Sequence, residues 1–239
     1  IVNSNFAYSN IIRVKISATT TTPVFTIVAP TNPLLCAGIT SFPVFYNAGS
    51  LTDDHYAIIW TANAIASGFS EVNADLAIAG NLSVSPVPLN VVVPGTIASG
   101  TFSGTLIVRN SVTGCAFTGT STLIINPLPT ISNPSPAPQN ICLNNSSTSL
   151  SITATVGSGT FSSVKWYSNT SNSNTGGTLV ATQSSPSAPD AYIPLTNAAG
   201  ALYYYAVVTN SNGCTKTSNV SGLVTVNPLP TATISETTA

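Results

Sequence analysis

Charge is what this chain has least of. Among 239 residues there are 5 Lys and Arg, 6 Asp and Glu, and 1 His. Charged residues make up 5% of the chain, against about 25% in an ordinary soluble domain. The net charge of −1 leaves no basic field to draw nucleic acid or an anionic membrane surface. A single histidine and the lack of a nucleophile-elbow motif argue against a Ser-His-Asp triad. Long hydrophobic runs are missing too. Pro, Thr, Ser and Asn interrupt every one before 18 residues, so no membrane-spanning helix is expected. Methionine is absent and no signal peptide is visible, which reads as a segment of something longer. Hydrophobic residues nevertheless reach 43%, enough for two ordinary cores, so low-hydropathy disorder is excluded. The surface must be built from Ser, Thr, Asn and Gly. With so little charge repulsion it suits a protein held in an assembly or displayed on a cell.

What is present is a repeat. Trp60 follows Cys36 by 24 positions, and Trp166 follows Cys142 by 24. Each pair is closed by a second cysteine after a similar phrase, Arg109-Asn110-Ser111-Val112-Thr113-Gly114-Cys115 and Thr209-Asn210-Ser211-Asn212-Gly213-Cys214. The frame ends twice in Asn-Pro-Leu-Pro, at Asn126 to Pro129 and Asn227 to Pro230. Fixed-period repetition outranks other sequence signals, and it points to small domains in tandem. The expected division is a closing strand of a preceding repeat plus linker at 1–20, a first domain at 21–129, a second at 130–230, and the start of a following repeat at 231–239.

Short apolar runs rich in Val, Ile, Thr, Tyr and Phe, punctuated by Pro and Gly, predict an all-β fold. The strands expected in the first domain are 42–46, 56–62, 76–84, 91–93, 102–110 and 121–125. In the second they are 149–156, 164–167, 178–181, 191–193, 202–210 and 223–226. The stretch Ala57 to Ala66 is the nearest thing to a helix, but Trp60-Thr61 and Gly68 fit a strand and turn better. The fold class expected is therefore tandem immunoglobulin-like β-sandwiches arranged end to end, each with one disulfide.

Four cysteines, two per repeat and none in CxxC spacing, favour structural disulfides in an oxidising compartment. An immunoglobulin domain normally links its second and sixth strands across the core. Here the first cysteine precedes the second strand and the other follows the sixth. If chain entry and the turn after the sixth strand share one end of the sandwich, the pairs are Cys36–Cys115 and Cys142–Cys214. Each would tie a domain's entrance to its own hairpin.

The phrase Tyr203-Tyr204-Tyr205-Ala206-Val207-Val208-Thr209-Asn210-Ser211-Asn212-Gly213-Cys214, the Lys165-Trp166-Tyr167 strand and the ending Val226-Asn227-Pro228-Leu229-Pro230 resemble Ig-like repeats of large Bacteroidota surface proteins. Those repeats occur in type IX secretion cargo, including SprB-like gliding adhesins. The resemblance is good over 130–230 and looser over 23–129, where Gly104 and Thr105 stand in place of tyrosines. It implies an extracellular, cell-surface, multi-domain adhesin or filament, and it brings no catalytic residues.

The remaining candidate sites are sparse. Asp53-Asp54-His55 reads as a solvated turn better than as a calcium site, which wants six or more oxygen ligands. Glu71 and Asp75 read as surface residues better than as a glycosidase pair. Trp60 and Trp166 read as core plugs, and Tyr203 and Tyr205 as packed, with sugar stacking the competing use. The Asn-x-Ser/Thr matches at Asn81, Asn145, Asn169 and Asn219 are of the kind an Asn- and Ser-rich chain produces by chance.

No catalytic, cofactor or metal residue is expected, and the protein is read as no enzyme. The leading reading is a structural or adhesive stalk giving reach, stiffness and protease resistance, the few Lys and Arg leaving few tryptic sites. The alternative is a carbohydrate- or ligand-binding Ig-like module attached to a secreted enzyme. The partners expected are neighbouring repeats of the same polypeptide, then other copies in a filament, with a surface glycan as a further candidate.

Overall fold

A computed structural model describes residues 27–28, 35–46, 55–77, 87–109, 116–184, 186 and 190–234. Residues 1–20, including the proposed closing strand, lie outside them. The chain forms two β-sandwiches in sequence. Their cores share no residue: one gathers buried side chains from Leu35 to Ile125, the other from Leu150 to Val224.

The first sandwich is built from β1 (Ile27–Val28), β2 (Leu35–Cys36), β3 (Ser41–Tyr46), β4 (His55–Trp60), α1 (Ala62–Ala66), β5 (Val72–Ala77), β6 (Val87–Val92), β7 (Gly100–Arg109) and β8 (Ala116–Asn126). One sheet runs β1-β3-β6 and the other β2-β8-β7-β4-β5. The pleat sends alternate side chains to opposite faces. Along β7 it therefore buries Phe102, Gly104, Leu106 and Val108 in turn. The stretch expected to be strand and turn is strand only as far as Trp60. Ala-Asn-Ala-Ile-Ala then closes a short helix with Ala64 fully buried. Alanine is the best helix former, but five residues are too few for a 3.6-residue period to register in sequence.

The second sandwich contains β9 (Thr130–Ile131), β10 (Gln139–Cys142), β11 (Leu150–Ile152), β12 (Ala154–Thr155), β13 (Phe161–Asn169), β14 (Thr178–Ser184), β15 (Asp190–Tyr192), β16 (Gly200–Asn210), β17 (Thr215–Thr217) and β18 (Val224–Asn227). Its larger sheet runs β10-β18-β16-β13-β14, with β17 also on β16. The ladders β11-β15 and β12-β9 face it. The expected strand 149–156 is thus split between two partners. Between β17 and β18 the N–H groups of Ser218 and Ser221 still donate to the carbonyls of Ala206 and Tyr204, at 2.9 and 2.7 Å, while the return bonds go to the two serine hydroxyls. Ser218 Oγ accepts from Ala206 N at 3.0 Å, and Ser221 Oγ accepts from Tyr204 N at 3.0 Å. Both serines are buried, and these bonds satisfy donors that would otherwise be orphaned.

One topological detail decides the cysteine geometry. In each sandwich a short strand near the entrance runs parallel to the last strand: β2 to β8, with Cys36 opposite Asn126, and β10 to β18, with Cys142 opposite Asn227. Each first cysteine is therefore carried the length of its sandwich to the end where the chain leaves.

Candidate functional site at the domain joint

The described disulfide is Cys36–Cys214, with Cα atoms 5.6 Å apart and 178 residues between them in sequence. This corrects both expected pairings. Cys36 is bonded across the domain boundary, and Cys142 is an exposed free thiol. Cys115 lies outside the described residues.

The physical reason is the parallel ladder. Cys142 stands level with Asn227, at the end of the last strand, whereas Cys214 lies before that strand begins. At about 3.3 Å per residue, the two are on the order of 30 Å apart along the sandwich. A disulfide needs Cα atoms within about 7 Å. The premise that both cysteines share one end fails because the first strand has already crossed the domain when its cysteine appears. The exit end of the first sandwich instead meets the β16–β17 turn of the second.

That turn is internally braced. Asn210, 1% exposed, accepts at Oδ1 from the backbone N–H groups of Asn212 and Cys214, at 3.1 and 3.0 Å. Its Nδ2 donates to the carbonyl of Val156 at 3.0 Å. Asparagine is suited to this because its side chain mimics a backbone turn. Cys214 is fully buried behind the brace.

From the same turn Asn212 reaches across the joint. Its Nδ2 donates to Asn126 Oδ1 at 3.0 Å and to Ser158 Oγ at 2.9 Å. Asn126 in turn donates from Nδ2 to the carbonyl of Leu35 at 3.3 Å and accepts at its own carbonyl from Ala37 N at 2.8 Å. Beside it, Gly157 faces the linker, and a Cβ there would lie 3.0 Å from the Leu128 carbonyl oxygen and 3.1 Å from Pro127. Only glycine allows so close an approach at φ +70°. A neutral hydrogen bond contributes about 0.5–1.5 kcal/mol, so the amide contact alone would open readily. The covalent bond ties the two sandwiches at this joint, with the amide and linker contacts beside it.

The other candidates do not assemble into a chemical site. Trp60 is 6% exposed and Trp166 fully buried. Tyr205 is buried, stacked on Tyr167 with ring centroids 5.0 Å apart, and its hydroxyl accepts from Gly177 N at 3.1 Å. Tyr203 is half-buried. His55 opens β4 and Asp75 sits in β5, while Glu71 is exposed before it. Asp53 and Asp54 lie outside the described residues. No group of three His, Cys, Asp or Glu fit to hold a metal occurs among the described residues.

A hollow of about 390 Å³ by Asn63, Ser67, Ser99 and Phe102 has no acidic, basic or histidine side chain in its wall. A second, of about 270 Å³, is lined mainly by Ala, Leu and Val around Tyr204. Burial, then the neighbouring Tyr192, pushes the Tyr204 hydroxyl up to about 12, far from useful acid–base range near neutrality.

Sequence reasoning singled out all four cysteines but missed the two asparagines that frame the bond. Their signal was present: each Asn-Pro-Leu-Pro closes a domain, and Asn212-Gly213 is a turn signal just before Cys214. No helix among the described residues is long and apolar enough to cross a membrane.

No family model matches the chain, and no curated protein matches it. Among solved structures it is similar to the fibronectin(III)-like modules of Clostridium thermocellum CbhA, at 15% identity and TM-score 0.45, covering 89% of this chain and 100% of that one. It is also similar to the FN1-FN3 domains of chicken CNTN1, at 10% identity and TM-score 0.45, covering 80% of this chain and 64% of that one. A third similarity is to the D00-D0 domain of Intimin, at 11% identity and TM-score 0.33, covering 83% and 98%.

Proposed function

We propose that this chain is a stalk segment of an extracellular repeat protein, non-catalytic, whose task is to hold something at a distance from a bacterial outer surface. The observation that carries this reading is the Cys36–Cys214 bond. A disulfide inside a domain stabilises that domain. One between domains restricts how two bodies move relative to each other, which serves reach and stiffness. The amide bridge from Asn212 to Asn126 and the close Gly157–linker contact support the same reading. The resemblance of the Tyr-rich strand and the Asn-Pro-Leu-Pro ending to Bacteroidota surface repeats suggests a type IX secretion cargo of the adhesin kind. Disulfide usage supports an oxidising, extracellular setting.

A carbohydrate-binding module would present aromatic side chains in rows. Where side-chain exposure is described, the large hydrophobic side chains exposed are Ile, Leu and Val, and Trp60, Trp166, Tyr204 and Tyr205 are buried. This weighs against the sugar-binding alternative. Small-angle scattering of the intact protein and of Cys36→Ser tests the stalk reading. The variant is expected to sample a broader range of interdomain orientations, with each domain's melting temperature little changed. Indistinguishable scattering profiles would remove the mechanical role of the bond.

A further inference from the structure

The amide bridge at the joint is built on the one Asn-Gly pair in the chain, Asn212-Gly213. Each half has a structural reason to be there. Asn212 supplies the Nδ2 that reaches Asn126 Oδ1 at 3.0 Å and Ser158 Oγ at 2.9 Å. Gly213 turns the chain at φ +75°, in the left-handed region that costs other residues energy. The pair is also chemically weak. The backbone nitrogen that follows an asparagine can attack the side-chain amide carbon, and glycine has no Cβ to obstruct the approach. Asparagine counts among the thermolabile residues.

In the folded protein both reacting groups are tied down. The Gly213 N–H donates to the Asn210 carbonyl at 2.9 Å. The Asn212 backbone N–H donates to Asn210 Oδ1 at 3.1 Å, while its side-chain amide is held by Asn126 and Ser158. The preceding residue is fixed as well. Ser211 N donates to the Thr160 carbonyl at 2.8 Å, and Ser211 Oγ accepts from Thr160 N at 3.1 Å. Ring closure requires the Asn212 side chain to leave Asn126 and Ser158 and fold back on Gly213. Giving up two or three neutral hydrogen bonds corresponds to a protection of about ten- to hundredfold.

We propose that Asn212 is a self-modification site, kept unreacted by the closed joint and deamidated when the joint opens. The Gly213 backbone nitrogen attacks Asn212 Cγ and forms a C–N bond. The bond from Cγ to Nδ2 breaks, and ammonia leaves with the proton from Gly213. Water then adds to either carbonyl of the cyclic imide and opens it to aspartate or isoaspartate. Water is the only co-reactant, and nothing is oxidised or reduced. The product presents oxygen to Asn126 Oδ1, where the amide gave a hydrogen bond. Asn126 is held against turning over, because its Nδ2 donates to the Leu35 carbonyl at 3.3 Å. Isoaspartate also lengthens the main chain between the two N–H groups that Asn210 braces. A joint that opens for long enough therefore stays loosened, and the Cys36–Cys214 clasp guards an amide as well as an angle. The proposal rests on reading the internal bond as a joint.

The test incubates the whole chain at mildly alkaline pH, where a backbone amide gives up its proton more readily. The oxidised parent is compared with Asn126→Ala, with Cys36→Ser combined with Cys214→Ser, and with the parent unfolded in denaturant. Peptide mapping by mass reads the fraction of position 212 converted, with aspartate and isoaspartate separated by chromatography. The unfolded chain should convert fastest and the parent about ten- to hundredfold more slowly. Asn126→Ala, which keeps the disulfide, should convert about fivefold faster than the parent. The cysteine variant should do so too, with folding of each domain checked by calorimetry. A parent that converts as fast as the unfolded chain, or an Asn126→Ala that converts no faster than the parent, would overturn the proposal. Asn212→Asp should broaden the interdomain orientations seen in scattering; an unchanged profile removes the loosening. Scattering of the cysteine variant judges the joint itself. If that profile matches the parent, the joint reading fails; if it broadens while position 212 converts at the parent's rate, the modification site alone fails.

Discussion

The two sandwiches put a tryptophan in the same place and hold it in different ways. Trp60 is gripped by rings and by a missing side chain. Phe69 lies 4.4 Å away centroid to centroid, and Phe102 in turn lies 5.2 Å from Phe69. Across the strand pair stands Gly104, where a Cβ would come within 2.8 Å of the indole. Trp166 faces Ala206 at the corresponding point and is instead anchored by its nitrogen. Its indole N–H donates to Asp190 Oδ1 at 2.7 Å, across to the other sheet. One position thus admits an apolar solution and a polar one. The difference teaches that the frame fixes where the ring goes, while its neighbours decide what secures it.

Three experiments probe that difference. The largest effect is expected from truncating each ring. Trp166→Ala and Trp60→Ala should each cost about 3–5 kcal/mol in their own domain, with the other domain's unfolding transition unmoved in calorimetry. A shared loss would mean that the cores are coupled.

Next comes Gly104→Ala, which adds a methyl where the indole already lies. Overpacking of this kind costs about 1–3 kcal/mol in denaturant titration. The reverse change, Ala206→Gly, should cost about 0.5–1 kcal/mol, mainly from chain entropy. Equal costs would show that the two tryptophans sit alike after all.

The smallest effect is pH dependence from Asp190. Desolvation by burial raises its pKa from 3.8, partly opposed by the Trp166 hydrogen bond. A raised folded-state pKa means that the native protein keeps a proton that the unfolded chain has lost. Stability from this group is therefore full below 3.8 and declines as pH rises through the folded-state value. Asp190→Asn keeps an acceptor for the indole and removes the charge. It should match the parent in acid and exceed it near neutrality, as read by melting temperature across pH. A constant offset at every pH would show that Asp190 does not titrate differently on folding.

Much of the fold could be read along the chain because the strands that build the cores carry their own pattern. The stretch Leu202 to Asn210 reads as a strand and is one, extended only to Gly200. The last strand of the first sandwich was expected at 121–125 and runs from Ala116, because Thr118-Gly119-Thr120 carries no apolar alternation. Strands β2 and β10 escaped notice at two and four residues, too short for any period to show. The hydrogen bond from Trp166 to Asp190 spans 24 residues and belongs to sheet stacking, which no local pattern encodes. The disulfide partner was illegible for the same reason. It depends on two parallel ladders and a domain boundary, none of them written in the spacing of the cysteines.

Those ladders also impose an order of events. Cys115 follows Cys36 by 79 positions, and Cys214 follows it by 178. In an unfolded chain the nearer cysteine is the easier one to meet, since loop closure grows costlier with length. The native bond goes to the farther one. The native bond forms directly when Cys36 is still reduced as the second domain forms its turn; a Cys36–Cys115 loop closed earlier has first to reopen by thiol–disulfide exchange. Folding first and oxidising second gives the native clasp; oxidising first invites a trapped loop. Refolding yield should accordingly depend on when oxidant is added, the cysteines being sorted by geometry rather than by proximity along the chain.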